Sequence, residues 1–434
     1  MCATTNILLI LLLLGMVVPA TQAQEDFEGA PIEYSASEPS NRISRLQQQL
    51  DRKEVSLDFH PSLGYLPAVL KALDIPAESQ ALVFSKTSLQ LRRISPRTPR
   101  AIYFRDDVYI GFCQEGEVIE VSAVDPQLGT VFYTIDQQQT ETIPRFERRV
   151  DSCLVCHASS RTEGVPGHLV RSLYVETSGH PMLSAGSRSV NHTTPFDQRW
   201  GGWYVTGKHG DQVHLGNLIL GKNDHPNHVD KSAGQNLTSL AGLVDTKPYL
   251  TPHSDIVSLM MLEHQVLVHN RIANASFTTR QALAYNEIMN KALGNAEENR
   301  LDSTTRRIQS AGDKLVESLL FVDEAPLTAP VTGTSGYAEV FAKAGPRDGQ
   351  NRSLRDLDLT RRMFKYPCSY LIYSDAFQQL PAEMLGYVWQ RLDDVLSGKA
   401  DSPKFAHISP ADRKAIREIL IATHPALPES WRAE

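Results

Sequence analysis

The sequence predicts an α+β fold, with β-rich N-terminal and middle regions and a mainly helical C-terminal region. Three observations predict this class. Runs of β-branched and aromatic residues fill positions 101–136, shorter runs of the same kind recur between 168 and 220, and a long apolar segment with a helix cap begins at Ser254. Strands that precede helices along the chain are typical of α+β proteins.

The first 23 residues have the pattern of a secretory signal peptide. Their apolar core, Ile7 to Val18, is too short to span a bilayer, and the small residue Ala23 suits cleavage. We therefore expect a periplasmic or secreted protein that keeps no stable membrane anchor after cleavage.

Residues 24–150 are predicted to form an N-terminal β-rich domain. After a polar lead-in, a short helix is expected between Leu63 and Leu73, because Pro61 and Pro76 bracket an apolar stretch. The strand runs are AIYFRDDVYIGFC, EVIEVSAVD and GTVFYTID. Turn residues separate these runs, and this spacing predicts a meander of antiparallel strands.

The rest of the chain divides into four predicted regions. Residues 151–253 contain the β-leaning runs HLVRSLYVETSG, GGWYVTG and VHLGNLIL. Residues 254–321 are predicted to be helical, and the run SDIVSLMMLEHQVLVHNRI is apolar on nearly every face, which indicates a buried helix. Residues 322–352 are predicted as a linker or long loop, and residues 353–434 as a C-terminal helical region. Further helices are expected at Thr278–Leu293, Thr304–Leu320 and Ala382–Leu396.

Composition limits the classes of function. The chain has 434 residues, which suits two or three domains, and its net charge of −7 argues against a nucleic-acid-binding surface. Cleavage after Ala23 would remove Cys2 and leave four cysteines. Two of them, Cys113 and Cys368, either pair in an oxidising compartment or remain as buried thiols.

One motif indicates a specific chemistry. The stretch DSCLVCHASS contains Cys153, Cys156 and His157 in the pattern Cys-x-x-Cys-His. This spacing suits covalent haem attachment, in which each thiol adds across a vinyl group and the histidine supplies an imidazole to the iron. Half a zinc site, a redox disulfide and coincidence are the alternatives, although a second cysteine pair is missing from the sequence. We therefore assign residues 151–253 as the haem-binding region.

The motif resembles the attachment motif of c-type cytochromes. This resemblance implies one covalent haem c bound by Cys153 and Cys156, with His157 as the proximal iron ligand, and electron transfer with a periplasmic redox partner protein. The wider pattern, including RWGGWYVTG and TPHSDIVSLMMLEHQ, is similar to large exported bacterial proteins that carry one such motif and have no assigned activity. That similarity implies an architecture and no reaction.

A second axial ligand is sought among the residues that follow the motif, because 11 of the 14 histidines lie between His157 and His269. His214, within an apolar run, is the leading distal candidate. Met182, which follows a Gly-His-Pro turn, is the other and would give a Met/His iron. Each residue also fits a structural role, as a hydrogen-bonded histidine or as a methionine that fills the core.

The predicted apolar helix also carries two ionisable residues, Glu263 and His264. A carboxylate in such a helix has to be paired or neutralised, and such groups are enriched at functional sites. Glu263 either bonds an arginine such as Arg271 or acts with His264 in proton transfer or metal binding. These two residues are the candidate catalytic groups.

Three functions follow from these residues. The first is an exported cytochrome that carries electrons with both axial positions of its iron filled. The second is a haem enzyme, peroxidase-like or acting on small molecules, with an open distal site. The third is a secreted binding module without haem, whose Cys-x-x-Cys is a disulfide or a metal clip. The sequence contains no P-loop, GxSxG or HExxH pattern, which argues against ATP hydrolysis, serine-hydrolase chemistry and zincin proteolysis.

Overall fold

A computed structural model of the chain confirms the predicted α+β class, with an antiparallel sheet in the N-terminal part and most helices after it. The described residues are 27–140, 142–222, 224–226, 228–400 and 402–432. The predicted signal peptide, residues 1–23, lies outside them. None of the helices within these ranges is long and apolar enough to cross a membrane.

Six antiparallel strands within the described ranges form one sheet in sequence order. They are β1 (Ala81–Val83), β2 (Arg100–Phe104), β3 (Val108–Phe112), β4 (Val118–Asp125), β5 (Gly129–Asp136) and β6 (Glu147–Arg149). The tight turn into β5 uses Gly129, whose φ of +68° favours glycine. The predicted strand runs are confirmed as β2 to β5, and β1 and β6 add an edge strand on each side.

Both faces of the sheet are covered, which explains why its strands read as continuous apolar runs. Successive side chains of a strand point to opposite faces. Ile102 and Phe104 belong to one hydrophobic core, whereas Ala101 and Tyr103 belong to the other. Every residue of β3 is buried. The sheet is therefore the layer that separates the two cores.

Two short helices precede the sheet and contribute to one of these cores. Helix α1 (Arg42–Asp51) begins after Asn41, whose side-chain oxygen accepts from the backbone N–H groups of Ile43 and Ser44 at 3.0 and 3.1 Å. Helix α2 (Leu66–Ala72) lies inside the predicted range of 63–73 and has a proline in its first turn.

The middle region is more irregular than the sequence predicts. It contains the single-turn helix α3 (Leu154–His157) and a hairpin of β7 (Arg171–Leu173) and β8 (Ser187–Ser189). The runs GGWYVTG and VHLGNLIL were predicted as strands, and this prediction is wrong. Positive φ angles at Trp200 and Gly202 bend the first run, and the Asn217 side chain holds Val205 through two hydrogen bonds of 2.8 and 2.9 Å.

One long helix replaces two predicted ones. Helix α4 (Ile256–Leu293) has 38 residues and ends at Gly294 in the left-handed conformation. It is continuous because no glycine or proline lies between the two predicted segments. Helix α5 (Asp302–Leu319) packs along α4, and α4 also contacts β5. The long helix therefore connects the sheet with the helical part of the molecule.

The C-terminal part contains four further helices among the described residues. They are α6 (Tyr337–Lys343), α7 (Asp375–Gln378), α8 (Ala382–Leu396) and α9 (Pro410–Thr423). The segment 322–352, predicted as a linker or long loop, contains α6 and buries Val331 and Phe341 in the larger core. The segment therefore packs against the larger core.

Candidate functional site

The motif occupies one helical turn, four residues after the last strand of the sheet. Cys153 caps α3 and Cys156 lies within it, so the two thiols share a face of the turn. Cys153 is half-buried, Cys156 is exposed, and both are free. Val155 between them is 79% exposed, an unusual position for an apolar side chain. The turn thus presents one exposed thiol, one half-buried thiol and an uncovered apolar side chain.

Gly167 holds His157 in two places. Its backbone N–H donates to the His157 carbonyl at 2.7 Å, and its carbonyl lies 2.9 Å from Nδ1 of the ring. Because a carbonyl only accepts, the ring proton is on Nδ1, which leaves a lone pair on Nε2. The bond from Nδ1 is the one hydrogen bond of this ring among the described residues, so Nε2 has no hydrogen-bond partner there. Burial lowers the pKa of His157 and favours the neutral ring, the form that binds metals.

Asn270 of α4 fixes the segment that holds the ring. Its side chain accepts from the His168 N–H at 3.0 Å and donates to the His168 carbonyl at 2.9 Å. A Cβ atom at Gly167 would come within 2.3 Å of the Asn270 oxygen, so only glycine fits there. Asn274, one turn further, donates to the Glu163 carbonyl at 3.0 Å. The long helix therefore positions the whole loop from His157 to His168.

His168 lies near His157 but has a structural role. The Phe132 ring contacts both imidazoles, with centroid distances of 4.9 Å to His157 and 6.2 Å to His168. Both nitrogens of His168 are engaged, with Ser122 Oγ at 2.7 Å and Thr130 Oγ1 at 3.2 Å. Burial lowers the pKa of His168 well below its ordinary value. Its nitrogens are consequently committed to the sheet.

Two arginines converge on a serine close to the motif. Arg171 Nε and Nη2 donate to Ser187 Oγ at 2.9 and 2.7 Å, and Arg161 Nη1 donates to the same atom at 3.2 Å. Arg171 is close enough to Cys156 for the two to interact electrostatically. Neither arginine forms an ion pair with a carboxylate in the described part of the chain. The site therefore has positive charge that the fold leaves uncompensated.

The two distal candidates lie in different settings. Met182 is partly buried in the connection between β7 and β8, the hairpin whose Ser187 binds Arg161 of the motif loop. His214 is buried against Trp200 and His209, with centroid distances of 5.3 and 4.8 Å. Its Nδ1 accepts from Gly216 N–H at 3.0 Å, and burial lowers its pKa to about 3. Among the described residues, no hydrogen bond or ring contact joins His214 to His157.

Glu263 lies in the core, where it pairs with an arginine other than the predicted one. Arg199 Nη1 donates to Glu263 Oε2 at 3.0 Å, and the two side chains are 2% and 0% exposed. Arg271 instead binds Glu163 at 2.8 Å, which corrects the predicted pairing. Burial raises the pKa of Glu263 to about 8 against the opposing effect of Arg199.

His264 is equally enclosed. Its Nδ1 lies 3.0 Å from Nδ1 of His192, its Nε2 lies 2.8 Å from Ser369 Oγ, and its ring stacks on Phe321 at 4.3 Å. Burial lowers the pKa of both imidazoles. Arg199 also donates to the His192 carbonyl at 3.1 Å, which joins the ion pair and the histidine pair in one buried network.

The other two cysteines are buried free thiols and do not pair. Burial raises the pKa of Cys113 and of Cys368 to about 12 in each case. Across the ranges that the structure describes, no group of three or more His, Cys, Asp or Glu side chains is arranged to hold a metal ion.

No protein-family model matches the chain, and no match is found among characterised proteins or solved structures. The functional interpretation therefore depends on the motif and its surroundings. Sequence reasoning found Cys153, Cys156 and His157 but not Gly167, Asn270 or Arg199. A signal existed for Arg199, since a cation next to the Trp-Gly-Gly-Trp run has to find an anion if that run is buried.

Proposed function

We propose that this chain is an exported c-type cytochrome that binds one haem c covalently and transfers electrons outside the cytoplasm. One observation carries the proposal. His157 is held through Nδ1, its Nε2 has no partner among the described residues, and it follows two free cysteines that share one helical turn. A ring held through one nitrogen is the arrangement in which the other nitrogen binds a metal.

The residues present fit this cofactor. Bound haem would supply a one-electron redox centre. Cys153 and Cys156 would each form a thioether by addition of the thiol across a vinyl group, and Nε2 of His157 would bind the iron. The Gly167 carbonyl keeps the proton on Nδ1, orients the ring and increases the basicity of Nε2. The exposed Val155 side chain, between the two cysteines, would supply apolar surface for an apolar cofactor held by them.

The decisive experiment is export of the chain in cells that contain the haem-attachment machinery. The purified protein is expected to keep a haem stain on a denaturing gel and to show the mass of one added haem. Cys153→Ala and Cys156→Ala each remove one thioether and reduce or abolish the stain. Cys368→Ala is the matched control, because this thiol is buried far along the chain from the motif, and it retains the stain. A mature protein with apoprotein mass alone would refute the proposal.

The spectrum of the holoprotein separates a carrier from a haem enzyme. A six-coordinate low-spin iron that ignores cyanide supports the carrier, whereas a high-spin iron that binds small ligands supports an enzyme with an open distal site. Met182 is the preferred sixth ligand, because its hairpin is hydrogen-bonded to the motif loop.

The choice of sixth ligand is tested in the same holoprotein. Met182→Ala is expected to change the spin state and lower the reduction potential, since Met/His ligation raises it. His214→Ala is the matched control and keeps the wild-type spectrum. The reverse result would assign His214 as the ligand.

A further inference from the structure

An open groove with cationic walls lies between α4 and α5. Its volume is about 480 Å³. Asn274 and Thr278 line it from α4, and Arg306, Arg307 and Lys314 line it from α5. Hydroxyl and amide groups supply further hydrogen-bond donors to this surface. The groove is thus suited to bind anionic groups.

The charge of the groove is uncompensated. Arg306, Arg307 and Lys314 are exposed, and none of their side chains forms an ion pair or hydrogen bond with another described residue. The acidic residues that follow on α5 are engaged elsewhere, Asp313 with Arg391 at 3.1 Å and Glu317 with Lys404. Asp302, one turn before Arg306, is exposed and forms no ion pair with it. Three free cations in one groove are conspicuous in a chain with a net charge of −7.

The groove adjoins the loop that holds His157. Asn274, on its wall, donates to the Glu163 carbonyl in that loop at 3.0 Å. The Glu163 carboxylate is already paired with Arg271 at 2.8 Å, so it does not neutralise the groove. Arg161 of the same loop and Arg171 beside Cys156 add two more cations without carboxylate partners in the described chain. We call Arg161, Arg171, Arg306, Arg307 and Lys314 together the basic surface.

We propose that the basic surface docks the acidic face of an electron-transfer partner protein and orients that partner at the His157 loop. This inference rests on the proposed function. Complementary charge speeds encounter and selects orientation more than it adds affinity, which suits partners that have to separate after each transfer. One electron passes between the two redox centres, so that one is oxidised and the other reduced. No bond is made and no proton moves.

The first test uses small redox complexes of opposite charge as probes of the holoprotein. Reduced protein is mixed with ferricyanide, an anion, or with hexaammineruthenium(III), a cation, and the rate of haem oxidation is measured against ionic strength. The variant Arg306→Gln/Arg307→Gln/Lys314→Gln is expected to react about tenfold more slowly with ferricyanide and faster with the ruthenium complex. Both changes should shrink as salt rises.

The matched control removes the same charge elsewhere. Lys53→Gln/Lys71→Gln/Lys247→Gln changes three exposed lysines, none of which lines the groove. It is expected to change either rate less than twofold. Equal effects of the two triple variants, or no effect of the groove variant in a protein that folds and holds haem, would overturn the docking proposal.

A second measurement tests the basic surface independently of haem attachment. Binding of a fluorescent oligoglutamate peptide is measured with or without haem in the protein. Binding that is lost in the groove variant and kept in the control supports the basic surface even if the chain proves to carry no haem. Binding that the groove variant retains in full would contradict it, whether or not haem is attached.

Discussion

The histidine of the motif turn and the histidine of the core network are held in opposite ways. His157 uses one ring nitrogen, is half-buried and lies one residue from an exposed thiol. His264 uses both ring nitrogens, is fully buried and stacks on a phenylalanine. The first therefore keeps a lone pair that can bind a ligand, whereas the second has both nitrogens committed to the core.

This difference teaches that the density of histidines along a sequence is a poor guide to a metal site. The band between His157 and His269 contains structural members such as His168, whose nitrogens bond two hydroxyl groups of the sheet. The number of hydrogen bonds made by each ring and its exposure separate a candidate ligand from a packing residue. The predictions below test this contrast between an enclosed network and an open turn.

The largest expected effect is a loss of stability from the buried network around Glu263. Arg199→Ala leaves Glu263 buried without its partner and frees the carbonyl groups of His192 and Thr194. Each buried acceptor that loses its donor costs about 1–3 kcal/mol of the free energy of unfolding, and three acceptors lose theirs here. Urea unfolding of the two proteins measures this loss.

The matched variant changes Arg271, which contacts the motif loop. Arg271→Ala breaks the ion pair with Glu163, whose side chains are 21% and 29% exposed. Partly exposed pairs contribute about 0–1 kcal/mol, so the loss should be small. Similar losses for Arg199→Ala and Arg271→Ala would show that burial does not distinguish the two pairs.

A smaller effect is expected in the dependence of the free energy of unfolding on pH. Burial raises the pKa of Glu263 from 4.5 to about 8, so between these pH values the folded state holds a proton that the unfolded state has lost. The protonated Glu263 carboxyl therefore makes its full contribution to stability below pH 4.5. This contribution decreases as the pH rises above 4.5 and is lost as the pH passes 8. Between pH 6 and 8 the fall is about 2 kcal/mol.

The test compares Glu263→Gln with the wild type in urea at several pH values. The amide cannot titrate, so its free energy of unfolding should fall by about 2 kcal/mol less than that of the wild type between pH 6 and 8. Glu163→Gln is the matched control and is expected to follow the wild-type profile. A Glu263→Gln profile parallel to the wild type would mean that the carboxyl is ionised throughout this range in the folded state.

Much of the fold follows from local pattern, and the exceptions have physical causes. The strands β2 to β5 and the helix at 382–396 were predicted because their residues and turns agree with the structure they adopt. The runs 201–207 and 213–220 have strand composition but are irregular, since positive φ angles and the Asn217 side chain shape the chain there. Such long-range hydrogen bonds leave no periodic signal in a sequence.

The candidate site likewise has a part that the sequence predicts and a part that it does not. The motif itself is local, and its five residues suffice to predict the thiols and the imidazole. The residues that hold the imidazole are distant in sequence, because Asn270 lies more than 100 positions after His157 and acts through the backbone of His168. Gly167 looks like any loop glycine until the close approach of Asn270 is known. Supporting residues of this kind emerge only from the three-dimensional arrangement.

The last prediction tests that support directly, with a smaller expected loss of stability than that of Arg199→Ala. Asn270→Ala removes two hydrogen bonds from the His168 backbone and costs about 1–2 kcal/mol. Asn286→Ala on the same helix is closely matched, since this buried side chain donates to the Asn299 carbonyl and accepts from the Leu301 N–H, both at 2.9 Å.

Similar losses of stability are therefore expected from the two variants, but only Asn270→Ala should loosen the Gly167 segment. Burial lowers the pKa of His157, so a loosened loop should let this pKa rise toward its ordinary value in a histidine titration followed by NMR. In the holoprotein, the same variant should alter the reduction potential, whereas Asn286→Ala should not. An unchanged His157 titration in Asn270→Ala would show that Gly167 holds the ring without help from α4.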